Sequence, residues 1–148
     1  MNYPTMAQAE KILRAYAAAT KPICRELGLP QTAFDILLFL ANNPDYHTAR
    51  DIVNVRRIKA NLVSVNVERL VQEGYLIRKP VEGDRRKIGL YLTEKSHPVV
   101  KRGQAAQRAF FDGMMEGLDE AERASFYQTL SVIERNLDKM IQTEDENR

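Results

Sequence analysis

The residues with the most explicit chemistry stand in one run, Asp84-Arg85-Arg86-Lys87, at the head of the alternating segment KIGLYL. Three cations beside a carboxylate suit a polyanion. An arginine inserted into a narrow minor groove gains from the enhanced negative potential there, and a neighbouring carboxylate can hold its guanidinium fork in position. A second set lies upstream in KANLVSVNVERLVQEG, where helical spacing with Val63, Val67 and Leu70 inward turns Asn61, Ser64, Val65 and Glu68 outward. Asn61 offers a paired donor and acceptor to adenine, Ser64 bonds a base or a phosphate, and Val65 packs on a thymine methyl. Lys59, one turn earlier, and Arg78 and Lys79, in IRKP, suit phosphate. The competing reading of each residue is an ordinary solvated position.

These residues share the basic part of the chain. Residues 48–95 hold 11 Lys or Arg against 6 Asp or Glu, a net of +5 inside an overall charge of +2; the remainder holds 11 against 14. Such segregation fits a nucleic-acid-contacting module on an oligomerising scaffold. At 148 residues, 44% of them hydrophobic, the chain can bury a core without a disulfide or a structural metal. The single cysteine, Cys24, cannot form an internal disulfide, and MNYPTMAQAEKIL has no basic start, apolar core or small-residue cleavage site. A cytoplasmic protein is expected. No window approaches the roughly 18 apolar residues that span a bilayer, so no membrane role is expected. His47 and His97 lack companions at zinc-type spacing, and no nucleophile elbow, P-loop or dinucleotide fingerprint is present. The chain is therefore expected to be no enzyme, with no metal and no cofactor.

The elements that must position the candidate residues follow from periodicity. From Thr5, Ala9, Ile12, Leu13, Tyr16 and Ala19 recur as an amphipathic helix that Pro22 should bend or interrupt. QTAFDILLFLANN resumes helical spacing with Phe34, Leu37, Leu38 and Ala41 until Pro44. Thr48 is an N-cap with Asp51 as its capping-box acid, and Ile52 and Val55 should face inward. The connection Arg56-Arg57-Ile58 leads to the helix of Val63, Val67, Leu70 and Val71, closed by Gly74 as a left-handed cap. From Tyr75 the period becomes two: YLIRKP and KIGLYL pair across a Glu82-Gly83-Asp84 turn, with Ile88, Leu90 and Leu92 on one face. A fifth helix starts at Thr93 or Ser96, takes Pro98 in its first turn, and runs through Val99, Val100, Phe110, Phe111, Met114 and Met115 to Gly117. From Asp119, Phe126, Leu130, Ile133, Leu137 and Met140 form a heptad seam for a partner helix or for the chain's own core. The tail TEDENR should fray.

Helix, turn, helix and basic two-stranded hairpin, in that order, describe a winged helix-turn-helix, whose second helix enters the major groove and whose hairpin tip reaches a minor groove. The fold class is thus mainly α with a two-stranded β wing. GDRRKIGLYLTEK (Gly83 to Lys95) and VERLVQEGYLIRKP resemble the wing and recognition-helix end of the MarR family of bacterial transcriptional regulators, and the similarity extends to the flanking helices. That resemblance implies a homodimer whose terminal helices, within residues 1–30 and 96–148, interleave, while residues 31–95 form the winged module. It implies a repressor on a near-palindromic double-stranded DNA operator. It gives Arg86 the inserting role and Asp84 the orienting one, leaving Arg85 and Lys87 for the backbone. Val65 departs from the polar or basic residues common on this face in the family. The family also implies a small aromatic effector in a cleft, which Tyr16, Phe34, Phe39 and Phe111 could line; aromatics at helical spacing are otherwise core. Some relatives sense peroxide through a cysteine early in the first helix, near the place of Lys11. Cys24, past Pro22, reads instead as a small buried hydrophobe. The alternative function is an interaction adaptor, a winged-helix dimer without specific DNA binding.

Overall fold

Alanine-rich sequence with apolar residues three and four apart builds α1 (Met6–Leu27), the first element of a computed structural model that describes residues 6–146. The start expected at Thr5 lies outside the described residues. Pro22 does not interrupt α1, which continues to Leu27. Only one backbone bond, to the Ala18 carbonyl, is lost near the helix end, and buried Thr20 and Cys24 dock this turn on the next helix. The Thr20 hydroxyl lies 3.1 Å from Gln31 Oε1. The first half of the apolar face, including Ile12 and Leu13, is exposed in the protomer.

Helix α2 (Gln31–Asn42) is apolar nearly all round, which places it centrally: Ala33, Phe34, Ile36, Leu37, Leu38, Phe39 and Leu40 are all buried. Thr48 and Asp51 make the expected capping box at α3 (Ala49–Asp51). The chain then widens into a π-turn over Ile52–Arg56. This shifts the helical phase, so Ile52 is buried but Val55 is exposed, contrary to the expected inward placement, and Val53 packs on the core in its stead. Arg57 follows in the left-handed region, with φ of 64°.

Helix α4 (Ala60–Gln72) buries Val63, Val67 and Leu70. Its end is fixed by Gly74, at φ 82°: the Gly74 N–H donates to Val71 O and the Tyr75 N–H to Leu70 O, the paired bonds of a Schellman cap. Strands β1 (Leu76–Val81) and β2 (Asp84–Leu92) pair antiparallel, from Leu76 opposite Leu92 to Pro80 opposite Ile88. The register then jumps to Val81 opposite Asp84, which leaves Arg85, Arg86 and Lys87 in a bulge. Asp84 is thus the first residue of β2, and the turn is Glu82-Gly83. Ile88 shares the face of Leu90 and half-buried Leu92 but is itself exposed. Thr93 clamps the base of the hairpin, its hydroxyl donating to Gly74 O at 2.6 Å and its N–H to Tyr75 O at 3.1 Å.

After one 3₁₀ turn, α5 (His97–Met114) begins, with Pro98 in its first turn. Gly103 lets this helix approach Leu38 and Phe34 of the core. Helix α6 (Glu120–Glu146) opens on a reciprocal cap in which Asp119 and Glu122 each bond the other's backbone N–H at 2.8 Å. The chain divides between Phe110 and Phe111 into two compact units. In the second, Phe126, Leu130, Ile133, Leu137 and Met140 form one exposed stripe, none below 40% accessible. The backbone of tail residues 143–146, expected to fray, extends α6, because a helix already nucleated upstream propagates at little cost; Asn147 and Arg148 lie outside the described residues. Among the described residues no helix is long and apolar enough to cross a membrane.

Candidate nucleic-acid interface

The buried triad Val63, Val67 and Leu70 orients α4, and the opposite face carries Asn61, Ser64, Val65 and Glu68, all exposed as their spacing predicts. Lys59 is the extended residue that precedes the helix and is exposed. Asn66 was not anticipated: it lies buried at the edge of the apolar face and satisfies its amide by donating to Leu62 O at 2.8 Å. Between the π-turn, α4 and the wing runs an open groove of about 560 Å³, with Ser64 and Arg78 on its walls and Arg50 of α3 and Asn54 of the π-turn also lining it. Sequence reasoning passed over Arg50 and Asn54. The signal was their place around the Thr48–Asp51 capping box, since a short helix starting there puts its second residue and the following turn on the same side as α4.

The wing cations are not equivalent. Arg78 donates to Glu68 at 2.8 Å, an exposed pair between wing and helix, and Arg78's hydrogen bond and charge hold the Glu68 carboxyl below the usual range. Such a pair contributes little stability, but it neutralises one cation on the groove wall. Lys79 sits over the Tyr91 ring, 4.2 Å from its centroid. Arg85, Arg86 and Lys87 project exposed from the bulge. The Asp84 carboxylate accepts from the backbone N–H of Arg86 at 3.1 Å, not from its guanidinium. It therefore orders the peptide from which the arginine projects and leaves the fork open to another acceptor.

Beneath the turn that precedes α4, Asp35 faces Arg56 at 3.6 Å and accepts from Gln31 Nε2 at 3.0 Å. Burial pushes the Asp35 carboxyl up, against the pull of Gln31 and Arg56. Burial, with the neighbouring Asp35, likewise raises the Cys24 thiol. Thiolate is the reactive form, so this environment disfavours a redox role. Of the aromatics expected around an effector, Phe34, Phe39 and Tyr16 lie in the first unit. Phe34 is fully enclosed in the core and Phe39 is buried, stacked on Tyr46 at 6.0 Å. Tyr16 accepts from Gln107 Nε2 at 2.9 Å and meets the Phe110 edge at 5.4 Å, while Phe111 belongs to the second unit. The competing core reading accounts for Phe34 and Phe39. Among the described residues no group of His, Cys, Asp and Glu could hold a metal ion.

A polar-faced helix beside a basic antiparallel hairpin, both resting on α2, is the geometry of a winged helix-turn-helix protein. Residues 27–87 match the model of the MarR family. Over that stretch, which is the winged module, the chain is similar to the family. It is 28% identical over 106 residues to the HTH-type transcriptional regulator PecS of Dickeya dadantii, a match that covers 70% of this chain and 64% of PecS. The solved transcriptional regulator PA3341 is 26% identical with a TM-score of 0.80, covering 90% of this chain and 97% of that one. A Listeria monocytogenes MarR family protein solved in complex with a 26mer DNA has the same fold, with a TM-score of 0.80 at 19% identity over 92% and 90% of the two chains. The family and these relatives are transcriptional regulators rather than enzymes, in keeping with the expectation for this chain.

Proposed function

We propose that the protein is a sequence-specific DNA-binding transcriptional regulator, acting as a homodimeric repressor on a near-palindromic operator. The observation that carries this reading is the pairing of a rigidly based helix, presenting Asn61, Ser64 and Val65, with a wing whose bulge projects three cations. Neutral donors and acceptors on a helix read the major groove, and cations at a hairpin tip suit phosphates and a narrow minor groove. Lys59, Lys79, Arg85 and Lys87 supply backbone contacts, Arg78 once released from Glu68, and Arg86 inserts with its peptide held by Asp84. The exposed α6 stripe and the exposed apolar start of α1 support a second copy as partner, with the terminal helices as the dimerisation region. Relief of binding by a small aromatic effector is the part of the proposal that rests on family resemblance alone.

Selection of bound sequences from a random duplex pool, followed by salt titration on the selected duplex, tests the reading. A dimer contacting roughly six to ten phosphates should lose about 10³- to 10⁵-fold in affinity between 50 and 200 mM salt. A flat response with no enriched sequence would favour the adaptor. Sedimentation of the unmutated chain should show a dimer at micromolar concentration; a persistent monomer would remove the symmetric operator.

A further inference from the structure

Gly89 leaves a gap on the outer face of β2, opposite Lys79 in the hairpin register, and the ring of Tyr91 occupies it. A Cβ at Gly89 would stand 2.6 Å from Tyr91 Cε2 and 2.9 Å from its hydroxyl oxygen, so the ring folds back along its own strand onto the glycine. Two further groups hold it there. Lys79 Nζ lies 4.2 Å from the ring centroid, and the His47 ring stacks on it at 5.0 Å and 23°. His47 is itself fastened on both sides. Its carbonyl accepts from the Leu90 N–H at 2.6 Å, joining the loop after α2 to the wing, and its N–H donates to Asp51 Oδ2 at 3.1 Å, in the cap of α3. Beyond Leu90 the wing buries no apolar side chain. Its angle to the helices is therefore set at its base, and the Tyr91 stack is the side-chain contact there that bridges wing and loop on the outer face.

We propose that Tyr91 is a positioning residue, an inference that rests on the DNA-binding reading above: gripped by His47 and Lys79 over Gly89, its ring sets the pitch of the wing. That pitch fixes where Arg85, Arg86 and Lys87 meet the duplex relative to α4. Tyr91 contributes shape, not charge, so its loss alters the register of the wing contacts without altering their number.

The test uses the full chain with Tyr91→Phe, Tyr91→Leu and Gly89→Ala. Hydrogen exchange without DNA reads the wing directly: Tyr91→Leu and Gly89→Ala should speed exchange of the Leu90 amide about tenfold, with α4 amides unchanged, and Tyr91→Phe should match the unmutated chain. Duplexes with A·T or G·C pairs flanking the selected half-sites then read the register. Tyr91→Leu should reduce the A·T preference in the flanks about fivefold at an unchanged salt slope, because no cation is removed. A merely structural tyrosine would lower affinity equally on all duplexes, and that outcome overturns the proposal. So does unchanged Leu90 exchange, or flank preference retained in Tyr91→Leu. An unmutated chain without salt-dependent duplex affinity would overturn the DNA reading and the register role together, while Leu90 exchange would still report whether the ring holds the wing.

Discussion

Helix α4 rests on Val63, Val67 and Leu70, each no more than 4% accessible, whereas the wing beyond Leu90 has no buried apolar side chain and carries its cations in a bulge. The two surfaces make different physical demands. A hydrogen bond to a base edge weakens steeply with small errors in distance and angle, so its donor needs a base that does not move. Attraction between cations and a phosphate backbone falls slowly with distance, so a compliant ribbon serves it well. On the proposed reading, selectivity is thus lodged where packing is tight, and affinity where it is loose.

The largest expected effect concerns packing. Leu70→Ala should cost about 2–5 kcal/mol of stability, and Ile88→Ala on the exposed part of the wing less than about 0.5 kcal/mol, both read by chemical denaturation. Comparable losses would mean that the wing shares the core. Next in size is the division of labour on DNA. Asn61→Ala should lose about 1–3 kcal/mol on the selected duplex and nearly nothing on a scrambled one, while Arg86→Ala should weaken both and lower the salt slope by about one. Equal losses from Asn61→Ala on the two duplexes would break the comparison outright.

The cap of α3 sharpens the comparison, because it serves helix and wing alike. Thr48→Ala should cost about 0.5–2 kcal/mol. Burial raises the Asp51 carboxyl, but hydrogen bonds from Thr48 and His47, with Lys87 nearby, outweigh it and hold the group below its usual 3.8. With its value lowered in the folded state, Asp51 stabilises fully above the unfolded value and loses that contribution as pH falls through the folded one. The stability gap between the unmutated chain and Asp51→Asn should therefore be constant above pH 3.8 and close below it; a gap that widened in acid would contradict the lowered carboxyl. The smallest effect is expected from Asp84→Ala, which releases a backbone restraint and keeps the arginine: a loss under about tenfold on either duplex, with the salt slope retained. A loss as large as that of Arg86→Ala would point to a contact with the guanidinium.

Much of the helical framework was legible because it depends on local signals. Phe34, Leu37 and Leu38 at helical spacing, the Thr48–Asp51 box and Gly74 each act within a few residues of themselves, and each is where the sequence put it. What escaped depends on phase or on distant partners. Helical projection assumes 3.6 residues per turn, so a π-turn after Asp51 moved Val55 outward without any mark in composition. A period-two pattern likewise cannot show that Arg85 to Lys87 lack partners across the hairpin. Pairing of Arg78 with Glu68 joins a strand to a helix, and the enclosure of Phe34 and Phe39 needs α2 surrounded on all sides; neither is written in spacing.

The clamp at Thr93 makes the wing a lever with a fixed fulcrum. Both strands are pinned where they leave the helices, and the Glu82-Gly83 turn at the far end is exposed. Residues added there disturb no buried group, and the entropy cost of a longer loop rises only slowly. Each pair of residues added, one to each strand, extends the reach by roughly 3.3 Å, close to the rise of one DNA base step. On the proposed DNA-binding reading, the distance between what the helix reads and where the cations land is thereby open to change one residue pair at a time, while the core that folds the protein stays as it is.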